Sequence, residues 1–273
     1  MRLSTIFVTG LTFIVAASTA SASVSCGNDL LAGAYGLRVS GMVKTPLAVG
    51  VAGAGLNDAI AAKMKAGAAG SNAASGYARL MLDGAGGVYG NSAASILGIW
   101  SQGNVVGEYT VDDDCNISLK LTDAAGAVQH FSGVLTRTGD SAVVLQTDTG
   151  TGVSGALKRS ATFCDGTGVP GRLKMQMAGA VAGAGGFNSV GSLEIDDAGN
   201  VTAVETRFSA GAASRISSSG PLVVNGDCSV SLRLTSQDGS VAAYEGVVVG
   251  AGRELMLVRT DAGVIVGGEA VAQ

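Results

Sequence analysis

Along most of the chain, apolar residues alternate with polar or small ones. Leu37 and Val39, Leu80 and Leu82, and Ile117, Leu119 and Leu121 each skip one residue. A period of two marks strands with one buried and one solvated face. Turn-forming clusters separate the strands: Asp83-Gly-Ala-Gly86, Gln102-Gly-Asn104, Asp123-Ala-Ala-Gly126, Thr138-Gly-Asp140 and Asp148-Thr-Gly150. Gly and Asn tolerate positive φ, and an Asp side chain can accept the amide protons of its own turn. Short connections make sequence neighbours antiparallel neighbours in space. Helical spacing occurs once, where Leu56, Ile60 and Met64 share a face between the capping pair Asn57-Asp58 and Gly67.

The strand pattern occurs twice. Asp-Cys-Asn-Ile-Ser-Leu-Lys-Leu-Thr at Asp114 returns as Asp-Cys-Ser-Val-Ser-Leu-Arg-Leu-Thr at Asp227, an offset of 113 residues. The same offset relates Leu80 to Leu193, Asp83 to Asp196, Asp148 to Asp261 and Gly155 to Gly268. Nearer each repeat's start, Cys26/Cys164 and Gly41/Gly179 are 138 apart, so repeat one carries 25 additional residues between about 42 and 75. The expected architecture is all-β: a tandem duplication of an antiparallel, roughly eight-stranded barrel, with one short helix in the insertion. Closure would remove the sheet edges; a sandwich fits the same spacing. The expected organisation is a signal peptide at 1–22, a first β-domain at 23–160 with the insertion, and a second at 161–273.

The leader reading rests on Arg2, the apolar run Ile6–Ala17 and the small-residue site Ala20-Ser21-Ala22. It predicts cleavage after Ala22 and a secreted or periplasmic protein with no transmembrane segment in the mature chain. Export makes disulfides the expected state of the four cysteines. Two pairings respect the repeat, the within-repeat bridges Cys26–Cys115 and Cys164–Cys228 or a cross-domain exchange. The former lets each copy fold alone.

Charge is sparse, with 17 basic and 21 acidic side chains and no basic block, which argues against nucleic acid as a partner. Few aromatics and no terminal aromatic argue against an outer-membrane barrel. The only histidine, His130, shares a strand face with Val128, Ser132, Val134 and Thr136; repeat two has Ala243 in its place. No G-x-S-x-G turn accompanies it, and one histidine makes a poor metal site. Asp112-Asp113-Asp114 could offer oxygens to calcium, yet repeat two keeps only Asp227 of the three. We therefore expect no cofactor, no metal and no catalytic set.

The run Cys26, Gly33-Ala-Tyr-Gly36, Leu80–Gly86, Tyr109–Thr122 and Gly126 resembles secreted, uncharacterised bacterial β-repeat proteins rich in glycine. Its general plan is similar to calycin-like and allene-oxide-cyclase-like barrels. That resemblance implies a fold and an apolar interior, and no activity. The leading functional expectation is an exported, non-catalytic barrel holding a small apolar molecule. Its candidate ligand-binding residues are Leu37, Val39, Leu80, Leu82, Leu119 and Leu121, with His130 and Ser132 where the copies differ. A structural or cell-surface interaction module, with self-association, is the alternative. A barrel-type cyclase or isomerase stands behind both.

Overall fold

The computed structural model describes residues 25–43, 73–165, 169 and 171–273. The expected leader and the expected short helix of the insertion fall outside those residues. The chain forms two closed antiparallel barrels of eight strands each. Barrel one comprises β1 (Gly33–Val43), β2 (Ala73–Leu82), β3 (Gly87–Ile96), β4 (Ile99–Val111), β5 (Asn116–Asp123), β6 (Val128–Leu135), β7 (Ser141–Gln146) and β8 (Thr151–Arg159). Barrel two comprises β9 (Gly171–Val181), β10 (Gly185–Ile195), β11 (Asn200–Ser209), β12 (Ala212–Val224), β13 (Ser229–Ser236), β14 (Val241–Val249), β15 (Glu254–Arg259) and β16 (Val264–Ala272). Each runs up and down in sequence order and closes first strand to last, with Leu37 opposite Leu157 and Met177 opposite Gly268. The sandwich alternative is thereby excluded.

Alternation places the core. On β5, Ile117, Leu119 and Leu121 point inward and are buried, while Asn116, Ser118 and Lys120 are exposed. Eight strands leave an interior just wide enough to be filled by side chains. Glycine permits the tight curvature at matching points. A Cβ on Gly107 would lie 1.9 Å from the Lys120 carbonyl oxygen, and one on Gly220 would lie 1.8 Å from that of Arg233.

One end of barrel one is stoppered by the segment that precedes its first strand. In barrel one, a 3-10 turn at Asn28–Leu31 inserts Leu31 into the core. The turn is bonded to the wall: Asn28 accepts from the Val111 amide and the Tyr109 hydroxyl, and the Leu30 carbonyl accepts from Arg159. Val169 occupies the corresponding position of barrel two. Each barrel carries one disulfide, Cys26–Cys115 and Cys164–Cys228, with Cα atoms 5.1 Å apart in each. These are the within-repeat pairs.

The barrels pack wall to wall. The outer face of β1–β3 and β8 presents small residues, among them Ala34, Gly36, Ser75, Ala93, Ser95 and Ala156. Against it lies the outer face of β14–β16, where Val247, Val249, Met256 and Val258 are fully buried. Gly36 is required there, because a Cβ would sit 2.6 Å from a methyl of both Val247 and Val249. Hydrogen bonds across the contact fix the approach, among them Ser95 Oγ to Val264 O (2.6 Å), Ser160 Oγ to Val248 O (2.6 Å), Gly263 N to Gly98 O (2.8 Å) and Gly250 N to Arg159 O (3.0 Å). At the junction, Lys158 reaches Glu254 and Glu269. Strands β14–β16 are therefore buried on both faces, which accounts for the unbroken runs Val247-Val-Val249 and Leu255-Met-Leu-Val258.

Candidate functional site

The end of barrel one opposite its stopper contains an apolar cavity of about 50 Å³. Leu37, Val39 and Leu121 line it, together with Phe131, Val153 and the small residues Ala74, Gly76, Ala78, Ser92 and Ala94. Leu80, Leu82 and Leu119 are buried deeper, in the packed core nearer the stopper. Buried Ser92 has an Oγ without a hydrogen-bond partner. Asp123, Gln129 and Gln146 supply the polar rim.

The same level of barrel two is filled. At the offset of 113, Ser92 becomes Glu205, Ala94 becomes Arg207 and Gln146 becomes Arg259. The Arg207 guanidinium pairs with Glu205 and lies over the Phe187 ring, while Arg259 lies over Tyr244 and bonds Asp261. Burial drives the Tyr244 hydroxyl up to about 12. Long charged side chains thus occupy the space that Ser92 and Ala94 leave open.

His130 and Ser132 project from the opposite side of the wall. His130 is cross-strand to Lys120 and Ser132 to Ser118, all on the outer surface. They do not share a site with the six aliphatic positions inside. His130 does have an acidic partner that sequence reading missed: its Nδ1 lies 2.7 Å from Asp148 Oδ1. Asp148 also accepts from the His130 backbone amide (2.9 Å) and from Gln146 Nε2 (2.9 Å). Burial opposes ionisation of Asp148, but the bonds from His130 and Gln146 outweigh it and hold its carboxyl below the ordinary value. In barrel two Asp261 accepts likewise from the Ala243 amide and from Arg259. The repeated aspartate therefore locks the β7–β8 or β15–β16 turn onto the strand two positions back around the barrel. The expected bond to its own turn amides is replaced by this longer-range clamp. Among the described residues, no hydroxyl bonds the His130 ring. On the same outer face, Ser132 and Thr147 line a groove with His130.

The repeated pair Asp83 and Asp196, and the unrepeated Asp112, act within their turns. Asp83 accepts from the amides of Ala85, Gly86 and Gly87 through one oxygen. Asp112 and Asp196 each bond the side chain and amide of an asparagine four residues on. Asp112 is thereby committed to its turn; among the described residues, no group of three or more His, Cys, Asp or Glu could hold a metal. These bonds lower the carboxyl pKa of Asp83, Asp112 and Asp196. A carboxyl depressed in the folded state adds stability that is fully present above its unfolded pKa, about 3.9, and is lost as pH falls through the folded value. Urea melts between neutral pH and about pH 2 should therefore show stability declining only below the usual carboxylate range. Asp196→Asn should flatten that decline, and an unchanged profile would count against the assignment.

No protein-family model matches this chain, and no curated protein shows significant similarity to it. What the fold and geometry define is a tandem pair of disulfide-tethered β-barrels, packed wall to wall.

Proposed function

We propose that the protein is an exported, non-catalytic interaction module whose barrels are scaffolds, with only a small void in barrel one, and whose outer walls make the contacts. A chamber of about 50 Å³ stands well below the roughly 300–1,000 Å³ of small-molecule sites. It has room for a water or two, or for a solute of a few atoms, which disfavours carriage of a sizeable apolar ligand. The observation that carries the interaction reading is the different fate of one wall in the two copies. Val247, Met256 and Val258 are buried against barrel one, whereas their counterparts Val134, Val143 and Leu145 are exposed at 58%, 70% and 53%. The repeat thus has an apolar contact face, occupied in one copy and open in the other. Head-to-tail stacking of further copies through the same contact is opposed, because Lys174 stands where the acceptor wall needs Gly36.

Native mass spectrometry of protein purified from its own host tests this reading. The expected species is the chain from Ser23, with two disulfides and no lipophilic adduct. A stoichiometric apolar molecule would restore ligand carriage. A companion measurement probes the cavity. Ala94→Val should raise stability by about 1 kcal/mol, since filling a void recovers roughly 24 cal/mol per Å³. A destabilised variant in thermal melts would mean that the space is not empty.

A further inference from the structure

We propose that the cleft between the two barrels is a binding site for neutral saccharides. The cleft has a volume of about 470 Å³, within the range of small-molecule sites, and such sites favour domain junctions. One wall is the outer face of β2–β4, where cross-strand pairing sets Arg79, Asn91 and Asn104 in one row and Tyr77, Ala93 and Gln102 in the next. The facing wall is the turn before β13 and the outer faces of β13 and β14, carrying Asn225, Asp227, Ser231 and Glu245. Small Ala93 and Gly103 leave room between the walls.

The polar groups match vicinal hydroxyls. Asn91, Gln102, Asn104 and Asn225 are four carboxamides, and each offers a donor and an acceptor side by side. A sugar hydroxyl also both donates and accepts, so paired functions satisfy it where a single charge cannot. Arg79 adds donors. Its Nη2 holds the Thr162 carbonyl at 2.9 Å, while its buried Nε has no partner. The two carboxylates are already engaged, Glu245 by the Tyr77 hydroxyl at 3.2 Å and Asp227 by Ser229.

An apolar platform adjoins these groups. Trp100 follows Ser95 across the β3–β4 pair and shares the outer face with Gln102. Its ring lies 6.5 Å from that of Tyr77, tilted by 30°. Indole and phenol faces can cover the C–H face of a pyranose while the carboxamides bond its rim. The sparse aromatic content hid this, because what matters is where the single tryptophan sits.

Other ligand classes fit less well. One arginine against two carboxylates gives the lining no surplus positive charge for a phosphate or uronate. An extended peptide added as a strand needs a free sheet edge, and both barrels are closed.

The proposal rests on the interaction-module reading, and the two fail separately: a cleft that binds no sugar leaves an adduct-free native mass spectrum unchanged. The test titrates the full mature chain with hexamers of glucose and of N-acetylglucosamine, with oligogalacturonate as the anionic arm. Trp100 is the only tryptophan and its ring neighbours Tyr77 of the cleft wall, so intrinsic fluorescence reports from the edge of the cleft, and saturation-transfer NMR reads the sugar. We expect a fluorescence change with a Kd of about 1 mM or tighter for at least one neutral hexamer. The exposed double variant Asn91→Ala/Gln102→Ala should weaken it about tenfold, with circular dichroism and melting unchanged. In Trp100→Ala the saturation-transfer signal should be lost or similarly weakened. No response to either neutral hexamer at about 10 mM, undiminished binding by the double variant, or tighter binding of oligogalacturonate would overturn the proposal.

Discussion

Lys158→Met is expected to destabilise the protein by about 3 kcal/mol, with the loss concentrated at the junction between the barrels. Lys158 sits at the end of β8 and contacts Glu254 and Glu269 of barrel two. Glu254 is the more enclosed partner, with a side chain only 11% exposed. Burial raises its carboxyl pKa against the opposing pull of Lys158. Lys158 is also desolvated, but the two glutamates prevail and raise its pKa. Methionine keeps most of the side-chain volume and removes the charge, leaving Glu254 in a dry interface with no cation. A buried ion deprived of its partner costs far more than the intact pair contributes. Lys158→Met/Glu254→Gln should therefore recover most of the loss, because the carboxamide carries no charge to strand. Denaturant melts of the two single variants and the double variant measure the coupling directly. Additive effects would show that the pair is already screened by solvent. The sign with pH follows from the same burial. A raised Glu254 pKa means that the folded state holds the proton more tightly, so the penalty in Lys158→Met should ease as pH falls through the carboxylate range.

This junction shows where a one-dimensional reading ends. Alternation on β5 is visible in Ile117, Leu119 and Leu121 because one face of that strand meets the core and the other meets water. Leu255-Met-Leu-Val258 shows no alternation, since both faces of β15 are covered, one by the core and one by barrel one. Such a run signals burial without naming the second partner. The duplication carried more information than the apolar pattern. It limited the cysteine pairing to arrangements that respect the repeat, and it aligned Ser92 and Ala94 with Glu205 and Arg207, the substitutions that separate a hollow level from a filled one. The cleft was not legible in the same way. Tyr77 and Trp100 meet through the pairing of β2, β3 and β4, but Asp227 belongs to the other barrel, and only wall-to-wall packing brings it to them. His130 is the opposite case, conspicuous as the only histidine yet placed on the outer wall, where its aspartate partner chiefly secures a turn.

Replacing Cys26 and Cys115 together by alanine is expected to lower the stability of barrel one by about 4.6 kcal/mol, the chain-entropy value for a bridge of this span. The bridge links residues 89 apart in sequence, and the second links residues 64 apart, so the matching change at Cys164 and Cys228 should cost slightly less. The first bridge also holds a local conformation. Cys115 has φ 66° and Cys228 φ 67°, a left-handed backbone that costs an L residue about 1–2 kcal/mol. The Cys115 amide bonds the Asp112 carbonyl, its carbonyl accepts from Leu135, and its sulfur holds the stopper segment in place. Without the bridge, the segment carrying Leu31 keeps its hydrogen bonds to Tyr109, Val111 and Arg159 but loses its covalent anchor. The stopper should then open more readily than the barrel wall unfolds. Hydrogen exchange resolves the two events. Faster exchange of the Leu30, Ala32 and Val111 amides, with β5–β7 still protected, is the expected pattern. Uniform loss of protection would show that the disulfide supports the whole barrel and not its stopper. Cys115→Gly with Cys26→Ala separates entropy from backbone strain. Glycine accepts the positive φ without the side-chain penalty, so that pair should recover roughly 1 kcal/mol of the loss.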